Sequence, residues 1–322
     1  MLAFAAGTLA GCGAPAVSSL PPQSSPASSV LARLKAAGSW MSPTAASQDL
    51  LYVSDSRGVV YVYSYPSGKL QGELRGFQSP GGLCSDPAGN VFVVNTNALD
   101  VLEYKHGGTQ PTQELNDFGH YPFGCAVDPK TENVAVANYA STLKLGPGSV
   151  SIFDGGKGVP HSYQDSAFNA YFFCGYDDKS NLFVDGADYG SYHTLLAEIP
   201  AGKSTFTNIA PDQTIGYPGG VQWDGTYLTV GDSSADELYR FKVSGKKATS
   251  VGKTSFKGDR SDLIVQYWID GSSIIVPYGT LPRDVRKVGF WSYPGGGSPT
   301  PTLDVPRASE LIGVTVSVAK KK

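Results

Sequence analysis

Asn95, Asn138, Asp185, Asp188 and Asp232 each lie at or just past the end of an apolar run, and Tyr121, Tyr171 and Tyr217 each stand at the start of another. Carboxylates, amides and phenols gathered at one mouth could hold a cation, or a polar ligand such as a sugar or peptide, through convergent oxygens. Asp55, Asn97, Ser79 and Tyr278 occupy comparable places and belong to the same candidate set. The same residue types also stabilise turns through their own side chains, which requires no ligand. The elements that carry these residues decide between the two roles.

Those elements repeat. SPGGLCSDPAGNVFVVNTN at 79–97, YPFGCAVDPKTENVAVANY at 121–139 and YPGGVQWDGTYLTVGDS at 217–233 are versions of one phrase. With Asp86, Asp128, Asp177, Asp224 and Asp270 in register, the spacings are 42, 49, 47 and 46, and a strand is predicted on each side of every Asp. A third apolar strand follows, from VVYVYSYPSGK at 59 to KVGFWSYPGG at 287, and then a more polar fourth segment suited to an outer edge. Each unit therefore reads as a four-stranded antiparallel meander.

A lone meander cannot bury both faces, so the units must stack radially or in a line. The first lacks an inner strand and begins at DLLYVSDS, whereas ELIGVTVSV at 310–318 is an inner strand without a unit. Joining the two closes a ring. The expected fold is all-β, a six-bladed β-propeller of four-stranded antiparallel blades, closed by the C-terminal strand pairing with the N-terminal blade. The abundance of Gly, Pro and Tyr (39, 22 and 18 residues) against 2 Met suits short strands and tight turns. The Asp of each DPxGN-type joint is assigned to the turn, because a feature repeated in every unit does not mark a single reaction centre.

The pattern P-x-G-(apolar)-x-x-D-P-x-G-N-(apolar)-(apolar)-V resembles the NHL repeat and the related YncE-type and SMP-30/gluconolactonase-type propellers, over about Asp49 to Val318. That resemblance implies architecture; such propellers host enzymes, sensors and scaffolds alike. The lactonases it brings in hold a divalent metal with a Glu, two Asn and an Asp at the channel mouth. Where their Asn residues precede the inner strands, this chain has Pro80-Gly81, Pro122-Phe123, Tyr171-Phe172 and Pro218-Gly219, none of which ligates a metal. Asn138, Asp185, Asp188 and Asp232 make the alternative, a divergent metal-dependent hydrolase or lactonase, though no full set of three or more convergent ligands is evident. His106, His120, His161 and His193 fall at unrelated repeat positions; His120 alone precedes the proposed mouth. G-x-S-x-G, H-E-x-x-H and P-loop motifs are absent.

At the N-terminus, Leu9-Ala10-Gly11-Cys12 after a short apolar run resembles a bacterial lipobox, which implies acylation of Cys12. Gly13 is not the Asp that this resemblance associates with inner-membrane retention. The expected organisation is a signal segment at 1–12, an Ala/Ser/Pro-rich tether at 13–48, the propeller at 49–319 and a basic tail at 320–322. The protein is then exported and lipid-anchored to the cell envelope, at the outer membrane or cell surface, or otherwise periplasmic or secreted. A net charge of −3 offers no footprint for nucleic acid. The expected function is non-enzymatic: a monomeric propeller that binds a protein, peptide or carbohydrate on one loop face, touches membrane only through its lipid and needs no cofactor.

Three cysteines lie inside the repeat. Strand alternation turns Cys84 to the opposite blade face from Cys125 and Cys174, so one handedness of packing aims Cys84 at Cys125 and the other aims them apart. Either a Cys84–Cys125 bond forms and Cys174 stays reduced, as an oxidising compartment favours, or all three are buried thiols. For the anchor, a fatty-acid probe should label the wild type and miss Cys12→Ser; equal labelling of both excludes lipidation at Cys12.

Overall fold

The computed structural model describes Leu34, residues 37–188, Gly190, and residues 193–257, 266–279 and 285–320. The expected lipidation site Cys12 and the signal segment lie outside the described residues. Strands β1 (Trp40–Met41), β2 (Leu50–Asp55), β3 (Val59–Ser64) and β4 (Leu70–Arg75) come first, followed by β5 (Pro80–Ser85), β6 (Val91–Asn95), β7 (Asp100–Tyr104) and β8 (Pro111–Asn116). The next meander is β9 (His120–Val127), β10 (Val134–Ser141), β11 (Ser149–Phe153) and β12 (His161–Tyr163). Then come β13 (Ala170–Tyr176), β14 (Leu182–Ala187), β15 (Thr194–Ile199) and β16 (Thr207–Pro211), and β17 (Pro218–Trp223), β18 (Leu228–Asp232), β19 (Glu237–Ser244) and β20 (Lys247–Ser255). The last are β21 (Trp268–Asp270), β22 (Ser273–Gly279), β23 (Val285–Ser292), β24 (Thr302–Asp304) and β25 (Leu311–Ser317).

The sheets are β1-β4-β3-β2-β25, β5 to β8, β9 to β12, β21 to β24, and one of eight strands in which the meanders β13–β16 and β17–β20 meet at their outer edges. That junction is short and parallel, pairing Ala210 with Lys247 and Pro211 with Ala248. Within the meanders all neighbours are antiparallel, and β25 pairs antiparallel with β2, from Leu50 opposite Ser317 to Asp55 opposite Leu311. Inner strands pack in the cyclic order β25, β5, β9, β13, β17, β21 and back to β25. Apolar clusters fill the spaces between sheets all the way round, from Leu50, Val62, Leu83 and Val93 between the first two to Val53, Ile275, Val288 and Val314 between the last and the first. This radial arrangement is a β-propeller.

Glycine explains how the inner strands come so close to the axis. A Cβ on Gly124 would lie 2.5 Å from the Phe172 carbonyl oxygen, and one on Gly175 2.8 Å from that of Val221. The shortest inner strand, β21, is held instead by glutamine side chains. Gln222 accepts from the Ile269 N–H at 2.8 Å and donates to its carbonyl at 3.2 Å. Gln266 reaches further, accepting from the Leu83 N–H at 2.9 Å and donating to the Leu83 carbonyl at 2.7 Å, through space that a side chain at Gly313 would fill. The register Asp residues cap their turns: Asp86 takes the Asn90 N–H and amide at 2.8 and 2.7 Å, and Asp177 takes those of Asn181 at 2.9 and 2.8 Å. Cys84 on β5 and Cys125 on β9 form a disulfide with Cα atoms 5.7 Å apart, and Cys174 is a buried thiol.

One expected boundary moves. The segment assigned to the tether joins the first sheet from Trp40, because β1 pairs with β4 and covers an edge that would otherwise be unpaired. Leu34 (2% exposed) and Ala45 (0%) enter the core beneath it, and the Ser39 hydroxyl accepts the Arg75 N–H at 2.9 Å. Leu34→Ala should therefore lower the unfolding free energy by about 2–4 kcal/mol in urea titrations, with binding unaffected. Deleting residues 310–322 removes β25 and exposes β2; we expect a loss above about 5 kcal/mol, read as a collapse of the cooperative thermal transition.

Candidate ligand-binding mouth

Among the described residues, the end of a second strand is hydrogen-bonded to the segment that leads into an inner strand in five places, so the two loop sets there open on one face. Thr96 N–H donates to Ser79 O, Thr142 N–H to Gly119 O, Asn169 N–H to Ala187 O, Ser233 N–H to Tyr217 O and Ser56 N–H to Glu310 O. The predicted oxygen-bearing residues do stand at this end, but most are turned inward. Inner strands carry a bulge close to their start, between Pro80 and Leu83, Tyr171 and Cys174, and Pro218 and Val221. A bulge leaves backbone N–H groups without ladder partners, and the Asx at the end of the second strand takes them or their neighbours in the preceding loop.

Asn95 accepts the Gln78 N–H at 2.6 Å and donates to Asp100. Asp232 accepts the N–H groups of Gly216, Tyr217 and Ser234 at 2.8, 3.3 and 3.0 Å, and the Ser234 hydroxyl at 2.6 Å. Asp55 takes Arg57, Ser309 and Glu310. Asp185 takes the Phe173 N–H at 2.8 Å, while its other oxygen is buried without a hydrogen bond. Complete burial drives the Asp185 carboxyl well above the ordinary range despite that amide. Asp188 is half-buried just past β14, Asn97 is exposed and Ser79 half-buried, whereas Tyr278, in the same candidate set, is a core residue packed against Trp291. Among the described residues, no three His, Cys, Asp or Glu side chains are grouped as metal ligands.

Asn138 starts a buried polar chain. Its amide nitrogen donates to the Ser149 and Ser151 hydroxyls at 3.1 Å each; Ser151 donates to Asp117 Oδ1 at 2.8 Å, and that oxygen pairs with His120 Nδ1 at 3.1 Å. Asp117 is 1% exposed and holds the His120 ring at the rim.

The tyrosines divide. Tyr121 and Tyr217 are half-buried at the rim, Tyr121 stacking on Tyr139 with centroids 5.6 Å apart and Tyr217 meeting Phe172 at 5.9 Å. Tyr171, expected beside them, is a core residue (0% exposed). The absence of a side chain at Gly186 admits the Phe168 ring, which stacks on Tyr171 at 4.7 Å and 4°. The Tyr171 hydroxyl accepts the Asp165 N–H at 2.7 Å, and burial pushes its pKa up to about 12.

Between the rim residues opens a cavity of about 360 Å³ lined by Phe123, Tyr139, Phe172, Tyr217, Ile312 and Glu310, with Phe173 at its floor. Phe123 meets Tyr139 at 81° and Phe172 at 88°, so the rings form walls rather than a stack. The Ser56 hydroxyl donates to Glu310 at 3.2 Å. Phe173 also borders a second cavity of about 430 Å³ at the opposite end, near the disulfide and the DPxGN-type turns. Sequence reasoning passed over Phe123, Phe172 and Ile312 because it sought oxygens. Their signal was visible: they stand where β5 and β17 have Gly81 and Gly219.

No known protein family matches the chain, and no curated protein matches it. Among solved structures, a chain of a nidogen/laminin complex aligns with a TM-score of 0.65 at 13% identity, covering 85% of this chain and 100% of its own. A protein of unknown function from Bacteroides caccae aligns with a TM-score of 0.62 at 11% identity, again over 85% and 100%. Such likeness, with the radial sheets, defines the fold class: a β-propeller. Among the described residues no helix is long and apolar enough to cross a membrane.

The Asp185 carboxyl titrates higher in the folded than in the unfolded chain, so its contribution is complete below the unfolded pKa of about 3.9 and is lost as pH rises toward the folded value. Asp185→Asn removes the titration. Its melting temperature relative to wild type should rise steadily from pH 4 to pH 8; a pH-independent difference would show that Asp185 does not carry the effect.

Proposed function

We propose that this chain is a six-bladed propeller of the NHL and YncE kind, with the eight-stranded sheet counting as two blades. It is tethered to the cell envelope by a lipid on Cys12 and acts without catalysis, as a monomer that binds a ligand or protein partner at the aromatic mouth. One observation carries the binding reading: a concave site lined by half-exposed aromatic rings, at the end where the loop sets converge. Rings left partly in water at a propeller axis, with few polar groups to orient a guest, match the general form of ligand pockets. Asn95, Asp185 and Asp232 serve this reading as supports, since their side chains take backbone N–H groups of the loops and inner strands at the mouth, while Asn138 is tied to Ser149 and Ser151 of β11. For the same reason they support the hydrolase alternative poorly, because a reacting group would need those oxygens turned to the cavity.

The test is binding to peptide and carbohydrate arrays by wild type and by Tyr139→Ala/Tyr217→Ala. We expect discrete ligands whose binding falls at least about tenfold in the double variant, with a melting temperature within a few degrees of wild type. Ligands bound equally by both proteins would move the function to another face.

A further inference from the structure

We infer that the aromatic mouth takes a small organic cation with an alkylated ammonium head, an inference that rests on the binding reading above and names its ligand class. Phe123, Tyr139, Phe172 and Tyr217 line the cavity together, and two of their contacts are close to perpendicular (81° and 88°), so the rings present differing orientations around the space. A ring face carries negative quadrupole density and attracts an ammonium group within about 6 Å of its centroid. Among the described residues Glu310 supplies the only formal charge on the lining, and the Ser56 hydroxyl steadies one of its oxygens. Among the described residues the lining contains no Lys, Arg or His.

Other ligand classes fit these walls less well. An anion would face Glu310 without a countercharge, and a neutral apolar guest would bury that carboxylate uncompensated. A sugar needs several directed donors and acceptors, whereas Glu310, Ser233 and two phenols are the only polar side chains among the described lining residues. An alkylated ammonium satisfies both parts of the lining at once: its methyl groups cover apolar ring surface while its charge offsets the carboxylate. The volume of about 360 Å³ suits a head group of this size with a short tail.

Titration calorimetry at constant ionic strength with choline and its neutral isostere 3,3-dimethylbutan-1-ol tests this on the full chain. We expect saturable choline binding, with the isostere at least about tenfold weaker. Glu310→Gln should erase that preference, and Phe172→Leu should weaken choline at least about fivefold, both with wild-type melting behaviour. Equal affinities for the two probes would overturn the cation assignment while leaving the mouth as the binding site. No saturable choline binding to folded wild type would also overturn it, and the array experiment would then judge the mouth separately.

Discussion

The pairing of β25 with β2 is the constraint on which the rest of the molecule depends. It joins the two ends of the chain, and the Ala319 N–H reaches the Asp49 carboxylate across 270 residues of sequence. Side chains extend the seam sideways: the Ser54 hydroxyl donates to Gly81 O at 2.6 Å and accepts the Gly313 N–H at 2.9 Å, so the closing strand is bonded to its neighbour β5 as well as to β2. Such contacts span most of the sequence, so they repay chain entropy only when the whole ring has formed. The closure also reaches the candidate site. Glu310, the residue just before β25, and Ile312 within it arrive at the mouth together, so the cavity has its acidic and aliphatic wall only when the ring is shut.

Near the axis, neighbouring inner strands compete for little space. Glycine settles the competition at Gly124 and Gly175, where any side chain would strike the next strand's backbone. One step closer to the mouth, Gly81 still faces the Phe123 carbonyl oxygen at 2.8 Å from where a Cβ would sit, whereas Phe123, Phe172 and Ile312 carry side chains at the equivalent places. This asymmetry converts a near-symmetric repeat into a cavity with distinct walls. Gln266 answers the opposite difficulty at β21, where a three-residue strand offers too few backbone partners and an amide side chain replaces a missing peptide.

Much of the fold was legible because its signals are local and repeated. The register Asp turns are short-range hydrogen bonds, and the orphan strand at the C-terminus followed from counting. Trp40–Met41 was not legible: a two-residue strand has no periodicity, and only the bare edge of β4 gives it a reason to pair. The tyrosines show the other limit. Tyr171 stands one place nearer its register Asp than Tyr121 and Tyr217 do, where the other copies have Pro122 and Pro218, so strand alternation turns its ring the other way, into the core beside Phe168 and Gly186.

The candidate site reverses the ordinary expectation about which residues bind. Asp and Asn at the second-strand ends drew attention as ligating oxygens, but a bulged inner strand frees amide hydrogens beneath them, and an unsatisfied buried N–H costs more than a solvent-facing carboxylate gains. The oxygens therefore turn inward, and Asp185 does so even at the expense of a raised pKa. Rings carry no such obligation. With the loops already fixed by their Asx partners, Tyr139, Phe172 and Tyr217 can stay half in water on a rigid frame, and rigidity is what lets a small aromatic cavity select its guest by charge and shape.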